Sequence, residues 1–107
     1  MIGSIVTVTV DRPLGSRHPQ HEMYYPVNYG FIPGTLAADG EEEDAYILGL
    51  SEPVTEFTGR IIAKICRYND IEYKWVVVPD GVTFTKEEIK EATRFQEQYF
   101  DSCIFMD

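Results

Sequence analysis

Positive charge is scarce in this chain, and its distribution is more informative than its amount. Nine Lys and Arg face 18 Asp and Glu, giving a net charge of −9 with histidine neutral. From His18 to Gly59 there is no Lys or Arg at all, while eight acids occur. A protein that tracks nucleic-acid phosphates needs a basic face, so nucleic acid is excluded as the expected partner. Long apolar runs are missing too: nothing approaches the roughly 18 residues of a membrane-spanning helix. The opening Met1-Ile2-Gly3-Ser4 lacks the basic flank and cleavage site of a leader. No membrane partner is expected, and the reading is a soluble, cytoplasmic protein. Cysteine is sparse as well. Cys66 and Cys103 form no CxxC or Cys/His ligand cluster and are too few for a disulfide scaffold, so both read as small hydrophobic residues. At 107 residues there is room for one domain and a real core, and 44% apolar with 13% aromatic content excludes disorder.

What is present reads mostly as strand. Ser4 to Val10 is β-branched and ended by Asp11-Arg12-Pro13. Ala45 to Leu50, Arg60 to Tyr68 and Ile71 to Pro79 are further strands, with Asn69-Asp70 as a hairpin turn between the last two. Leu14 to Ala38 is rich in Pro, Gly, His and aromatics, which predicts aromatic packing around short strands and no helix. The one helix starts at Thr85, where Thr85 and Glu88 form a capping-box signature. Its apolar positions Ile89, Ala92, Phe95, Tyr99 and Phe100 are expected to close the chain as helix. Strands followed by one terminal helix predict a small, partly open barrel or strongly curved sheet in a mainly β (α+β) fold.

Three clusters carry candidate chemistry. Asp39, Glu41, Glu42, Glu43 and Asp44 lie within six positions, and acids this close repel unless a cation joins them. Mg²⁺ suits such a turn, since it takes one or two carboxylates plus water and phosphate oxygens; a solvated acidic loop is the competing reading. An EF-hand is a poor match because its alternating ligands are absent. Glu72 and Lys74, two apart on a strand, share a face: either metal ligand and phosphate contact, or an ordinary exposed pair. Trp75 and Val77 then face the core. Asn28-Tyr29-Gly30 offers a turn glycine and a phenol that either enters a cavity or serves packing alone, and Arg17 upstream is either a bidentate phosphate ligand or an ordinary surface residue. His18 and His21 read as loop residues, because hard Mg²⁺ prefers oxygen.

Taken in order, Tyr25-Pro26-Val27-Asn28-Tyr29-Gly30-Phe31-Ile32, Asp39-Gly40-Glu41-Glu42-Glu43-Asp44 and Lys74-Trp75-Val76-Val77-Val78-Pro79 resemble the soluble, Mg²⁺-dependent family I inorganic pyrophosphatases. The likeness runs from about Asp11 to Pro79 and weakly through the helix. It implies one domain over residues 1–107, folded as an OB-like five-stranded β-barrel with a C-terminal α-helix. It implies hydrolysis of pyrophosphate to two phosphates by metal-activated water, with several Mg²⁺ ions, or Mn²⁺ as a substitute. By the same resemblance Asp39, Asp44, Glu72 and Asp70 are metal ligands, Asp44 shared between two ions. Glu41 positions and deprotonates the attacking water, and Tyr29, Lys74 and Arg17 contact phosphate. The alternatives are a hydrolase of another small phosphoanhydride or phosphoester, or a non-catalytic metal- and phosphate-binding module. Self-association into a homo-oligomer is left open. The chain departs from the family pattern where Glu41 and Glu72 replace aspartates and where Thr7 and Thr9 stand for a lysine and an acid. No basic residue follows Arg94, so the phosphate clamp is thinned.

Overall fold

The computed structural model describes residues 1–20, 22–68 and 72–106. Six strands and one helix follow in the order β1 (Ile5–Arg12), β2 (Asn28–Ile32), β3 (Glu43–Ile47), β4 (Glu56–Arg67), β5 (Tyr73–Val78), α1 (Lys86–Glu97) and β6 (Ser102–Met106). The sheet order is β1-β2-β3-β5-β4, and β1 also pairs with β4, so these five strands close into a barrel. All pairs are antiparallel except β3 with β5, which run parallel. The expected five-stranded barrel with a C-terminal helix is what forms. One element departs from expectation: the chain does not end in helix. Gln98 caps α1, Tyr99 and Phe100 turn the chain through single backbone bonds, and β6 returns along β4.

Local chemistry explains the boundaries. Thr85 Oγ1 accepts from the Glu88 amide at 3.1 Å, while Glu88 accepts from the Thr85 amide at 2.8 Å, completing the capping box. The helix buries Ile89, Thr93 and Glu97, spaced by four, against the sheet. Two apolar clusters lie on opposite faces of the strands. One holds Val8, Ile32, Ala45, Ile47, Ile61, Trp75 and Val77. The other, under α1, holds Tyr46, Leu48, Ala63, Ile65, Val76, Val78 and Ile89. Alternation along β5 thus sends Trp75 and Val77 to one side and Lys74, Val76 and Val78 to the other.

Two details fix the strands that carry polar groups. Gly30 is mid-strand and not a turn glycine: a Cβ there would lie 1.9 Å from the Thr9 carbonyl oxygen, so β1 and β2 approach this closely only over glycine. Asn28 is fully buried beside it. Its Oδ1 accepts from the Leu14 and Val54 amides at 3.0 and 3.1 Å, and its Nδ2 donates to the Glu52 carbonyl at 3.0 Å. One side chain therefore ties two loops to the base of β2 and sets the position of Tyr29. In β1 the register slips between Val10 and Arg12, so Asp11 is the extra residue of a bulge. Such bulges re-aim side chains.

Candidate active site

The helix-side face of the sheet continues past α1 into a polar cleft. Parallel pairing sets Asp44 of β3 opposite Lys74 of β5, and antiparallel pairing sets Tyr29 between Arg12 and Tyr46. The result is two adjoining hollows that share Asp11 and Asp44. The first, about 490 Å³, is lined among others by Arg12, Tyr25, Tyr29, Arg67, Lys74 and Tyr99. The second, about 340 Å³, is lined by Phe31 and six acids: Asp11, Asp39, Glu41, Glu42, Asp44 and Glu72. Cations and phenols thus border one side of Asp44, and carboxylates the other.

Lys74 sits at the boundary and is only 4% exposed. Its Nζ donates to Asp44 Oδ2 at 2.5 Å and to Glu72 Oε2 at 3.1 Å. Burial works against its charge, but the Tyr29 phenol and the Asp44 carboxylate outweigh this and hold its pKa above the usual lysine value. Burial also pushes the Tyr29 phenol well above its usual value, with Lys74 opposing and Asp44 adding to the rise. Tyr29 therefore stays protonated and can donate to an anion. Asp11 is raised as well, chiefly by burial and to a smaller extent by Asp44, with Arg12 pulling the other way.

The acidic turn is shaped locally. Gly40 adopts φ +87°, a conformation L side chains avoid, and Asp39 Oδ1 accepts from the Glu41 amide at 2.9 Å. That bond, together with contact to Glu72, lowers the Asp39 pKa. Glu42 accepts from the Gly34 amide at 3.2 Å and so buttresses the turn.

Beneath the cleft lies a second polar assembly. Arg67 donates to both oxygens of Glu97, Nε at 3.0 Å and Nη2 at 2.7 Å, and both residues are buried. The Tyr46 hydroxyl donates to Glu97 at 2.6 Å and accepts from Gln96 at 2.8 Å; Gln96 in turn accepts from Tyr25 at 3.2 Å. Burial opposes the Arg67 charge, and Glu97 more than restores it. Arg67 lies over the Phe100 ring at 3.7 Å and approaches Glu72 at 3.7 Å, which joins this assembly to the cleft.

Of the residues singled out from the sequence, Tyr29, Asp39, Glu41, Asp44, Glu72 and Lys74 converge. Asp70 lies outside the described residues, as do Asn69 of the expected turn and His21. Arg17 does not line the cleft itself: it bridges backbone to Tyr24, sits 3.7 Å from Glu22 on the surface, and lines a neighbouring hollow that shares His18, Pro19 and Gln20 with the cleft. Arg12, five residues earlier at the end of β1, lines the cleft. Asp11, Arg12, Tyr25, Arg67 and Glu97 were missed. The Asp-Arg-Pro triplet reads as a strand terminator, and only the bulge makes it part of the site; Arg67 and Glu97 are 30 positions apart with no local signal. His18 stacks on Tyr25 with centroids 5.5 Å apart at the cleft rim.

The family model described as inorganic pyrophosphatase matches residues 7–103. The chain belongs to the inorganic pyrophosphatase family. An inorganic pyrophosphatase of Gluconobacter oxydans is 50% identical over 50 residues, covering 43% of this chain and 29% of that protein. One from Caulobacter vibrioides is 39% identical over 64 residues, covering 56% and 34%. The chain thus spans about a third of the length of these curated relatives in the matched stretches. Among solved structures, the inorganic pyrophosphatase of Ehrlichia chaffeensis superposes with a TM-score of 0.77 at 21% identity, covering 99% of this chain and 88% of that one. That of Coxiella burnetii gives 0.70 at 20% identity over 99% and 86%. At such identities these structures establish the fold. Among the described residues no helix is long and apolar enough to cross a membrane.

Proposed function

We propose that this member of the family hydrolyses inorganic pyrophosphate to two phosphates with a divalent cation, Mg²⁺ by preference and Mn²⁺ as a substitute. One observation supports this above the others: a hollow lined by six carboxylates adjoins one lined by Arg12, Lys74 and a protonated Tyr29, with Asp44 common to both. Pyrophosphate is a polyanion that needs cations on one side and neutralised charge on the other. Among the described residues no three carboxylates stand close enough to hold a metal ion as placed. Their chemistry nevertheless fits a hard cation, being all oxygen with no thiol or imidazole. Asp39, Asp44 and Glu72 are the residues that would hold it, with Asp70 a fourth by resemblance. A bound cation supplies charge neutralisation at the phosphoryl oxygens and a water acidified enough to attack near neutral pH.

The chain's own groups do the remainder. Lys74 and Arg12 take phosphate oxygens as charge-assisted donors, and the Tyr29 hydroxyl donates a third bond, orienting the leaving phosphate. Glu41, at the exposed end of the acidic hollow, accepts a proton from the attacking water at its carboxylate. Asp44 keeps Lys74 extended toward the boundary between the hollows. Asp44 and Glu72, the residues that would hold a cation, are also the two acceptors of Lys74, so its ammonium would be available to phosphate to the extent that these carboxylates are otherwise engaged.

The test is phosphate release from pyrophosphate, triphosphate and nucleotides with Mg²⁺ and with EDTA. Release from pyrophosphate that EDTA abolishes is expected. Equal rates in both buffers would remove the metal mechanism, and preference for triphosphate or a nucleotide would move the substrate to another phosphoanhydride.

A further inference from the structure

The two cysteines, unremarkable in the sequence, become partners in the fold. Antiparallel pairing of β4 with β6 sets Cys66 directly opposite Cys103, and both are half-buried free thiols. The amide of Tyr68 donates to the Asp101 carbonyl at 2.8 Å, which marks Tyr68 and Asp101 as a hydrogen-bonded pair. Two residues along, Cys66 and Cys103 are then the same kind of pair, with Cα atoms about 5.5 Å apart. That lies within the about 4.4 to 6.8 Å that a disulfide spans. Cys103 is a direct enough neighbour to add to the rise in the Cys66 thiol's pKa. The face they share is otherwise occupied by Lys64, whose ammonium lies 4.5 Å from the Tyr73 ring centroid, and by Phe105 and Tyr68, both exposed. Solutes can reach the pair.

The geometry points to a reversible disulfide between Cys66 and Cys103, formed by exchange with a low-molecular-weight disulfide, that clips the last strand to the barrel. In the first step the Cys103 thiolate, on the edge strand β6, attacks a disulfide RSSR and expels RS⁻, leaving a mixed disulfide at Cys103. The Cys66 thiolate then attacks the Cys103 sulfur and expels the second RS⁻. The two thiol protons end on the two RSH, so that two protein thiols are oxidised and one RSSR is reduced. Burial pushes the Cys66 thiol up, with Lys64 partly opposing, which favours Cys66 as the resolving partner in this order.

Reversibility follows from register. Side chains directly opposite across a sheet hold their Cβ atoms about 4.5 to 5.5 Å apart, with hydrogen-bonded pairs such as this one toward the wide end, against about 3.5 to 4.5 Å in a disulfide. The bond forms under some strain, and strained, accessible disulfides are the readily reduced ones. Its position gives it reach. The stretch it closes, Arg67 to Ser102, contains Glu72, Lys74, the whole of α1 and Phe100 beneath Arg67. Among the described residues, those that the C-terminal half contributes to the cleft all lie inside the clip.

The experiment is titration of the purified chain with oxidised glutathione at fixed total glutathione, read by intact mass without reductant and by melting temperature. A monomer lacking two hydrogens, with the two cysteine-bearing peptides linked and the bond reversed by dithiothreitol, is expected. Its melting temperature should rise by about 4 to 8 °C, since loop closure acts on the unfolded chain and strain takes back part of the gain. Cys66→Ser and Cys103→Ser should each take up one glutathione and show no such rise. Thiols that stay reduced, a glutathione adduct that persists on the wild-type chain, or disulfide-linked dimers would overturn the proposal. An oxidised monomer that melts no higher than the reduced one would overturn the clip.

Discussion

Two ion-pair assemblies share one face of the sheet, and they are built on opposite plans. Arg67 and Glu97 form a closed pair: two hydrogen bonds in fork geometry, both partners buried, the remaining carboxylate capacity taken by Tyr46. Lys74 with Asp44 and Glu72 forms an open one: the ammonium is buried, but the carboxylates are 31% and 27% exposed and face a hollow of four further acids. In the closed pair the Glu97 carboxylate is fully engaged and fastens α1 to the barrel, while Arg67 presents its remaining edge to the cleft near Glu72. An open pair has an excess of negative charge on one side and an ammonium that could exchange one carboxylate partner for a phosphate oxygen. Burial of the carboxylates, and not of the cations, separates the two assemblies, although both consist of the same kinds of residue.

The largest effect that would sharpen this contrast is on stability. Glu97→Ala leaves the Arg67 guanidinium buried with Glu72 at 3.7 Å, and stranding a buried charge costs about 3 to 5 kcal/mol. Thermal unfolding should fall by at least about 12 °C, at about 4 °C or more per kcal/mol for a domain of this size. Asp44→Asn, on the open pair, should unfold within a few degrees of wild type. A similar loss in both variants would erase the distinction between the assemblies.

On activity the ranking should reverse. Asp44→Asn should lower phosphate release from pyrophosphate by about 100-fold or more, the scale of losing a preorganised charge. Glu42→Gln keeps an oxygen to accept from the Gly34 amide and should change the rate by less than about threefold. The opposite order in a steady-state assay would mean that the turn presents a different acid to the substrate.

The open assembly should also respond to cations where the closed one does not. A cation that binds the folded acids and not the unfolded chain adds RT ln(1 + [L]/Kd), about 2.7 kcal/mol at 100 times Kd. Melting in millimolar MgCl₂ should exceed melting in NaCl of equal ionic strength, which controls for screening. Asp39→Asn with Asp44→Asn should abolish the difference, and Glu97→Ala should keep it. An equal shift in the double variant would make the acids a solvated face.

How much of this was legible in sequence follows the range of the interactions. Strand alternation and the Thr85 capping box are local, and they mark β1, β3, β4, β5 and the start of α1 within a few residues. The end of α1 was misread because Tyr99 and Phe100 continue its apolar period, although they fold back over Arg67 and the cleft. The short β6 has no alternation of its own and exists because β4 is long enough to pair with both β5 and β6. The acids of the turn and the Glu72/Lys74 pair were visible because each is a cluster in sequence. Arg67 with Glu97, and Cys66 with Cys103, meet only through topology. Asn28 was noted for its neighbours, yet its three hydrogen bonds to loops on either side of β2 needed coordinates.

The smallest expected effect, and the one that most directly sets sequence against structure, concerns two arginines. The family resemblance assigns the phosphate contact to Arg17. Its guanidinium is largely exposed, and its loose contact with Glu22 at 3.7 Å is of the surface kind that contributes little. Arg12 reaches the cleft because the bulge at Asp11 turns the end of β1 beside Tyr29. If the placement in the fold governs, Arg12→Met should raise KM for pyrophosphate by roughly tenfold, the loss of about 1.4 kcal/mol of charge-assisted binding. Arg17→Met should leave KM within about twofold, and neither variant should shift the melting temperature by more than a few degrees. The Arg17 segment is held in place by the Arg17–Tyr24 bridge and by the Ser16 carbonyl accepting from the Tyr25 amide, so Arg17 reaches a bound anion only if these contacts yield. A tenfold rise in KM from Arg17→Met with none from Arg12→Met would show that the loop closes on substrate and that the motif spacing, rather than the bulge, selects the arginine.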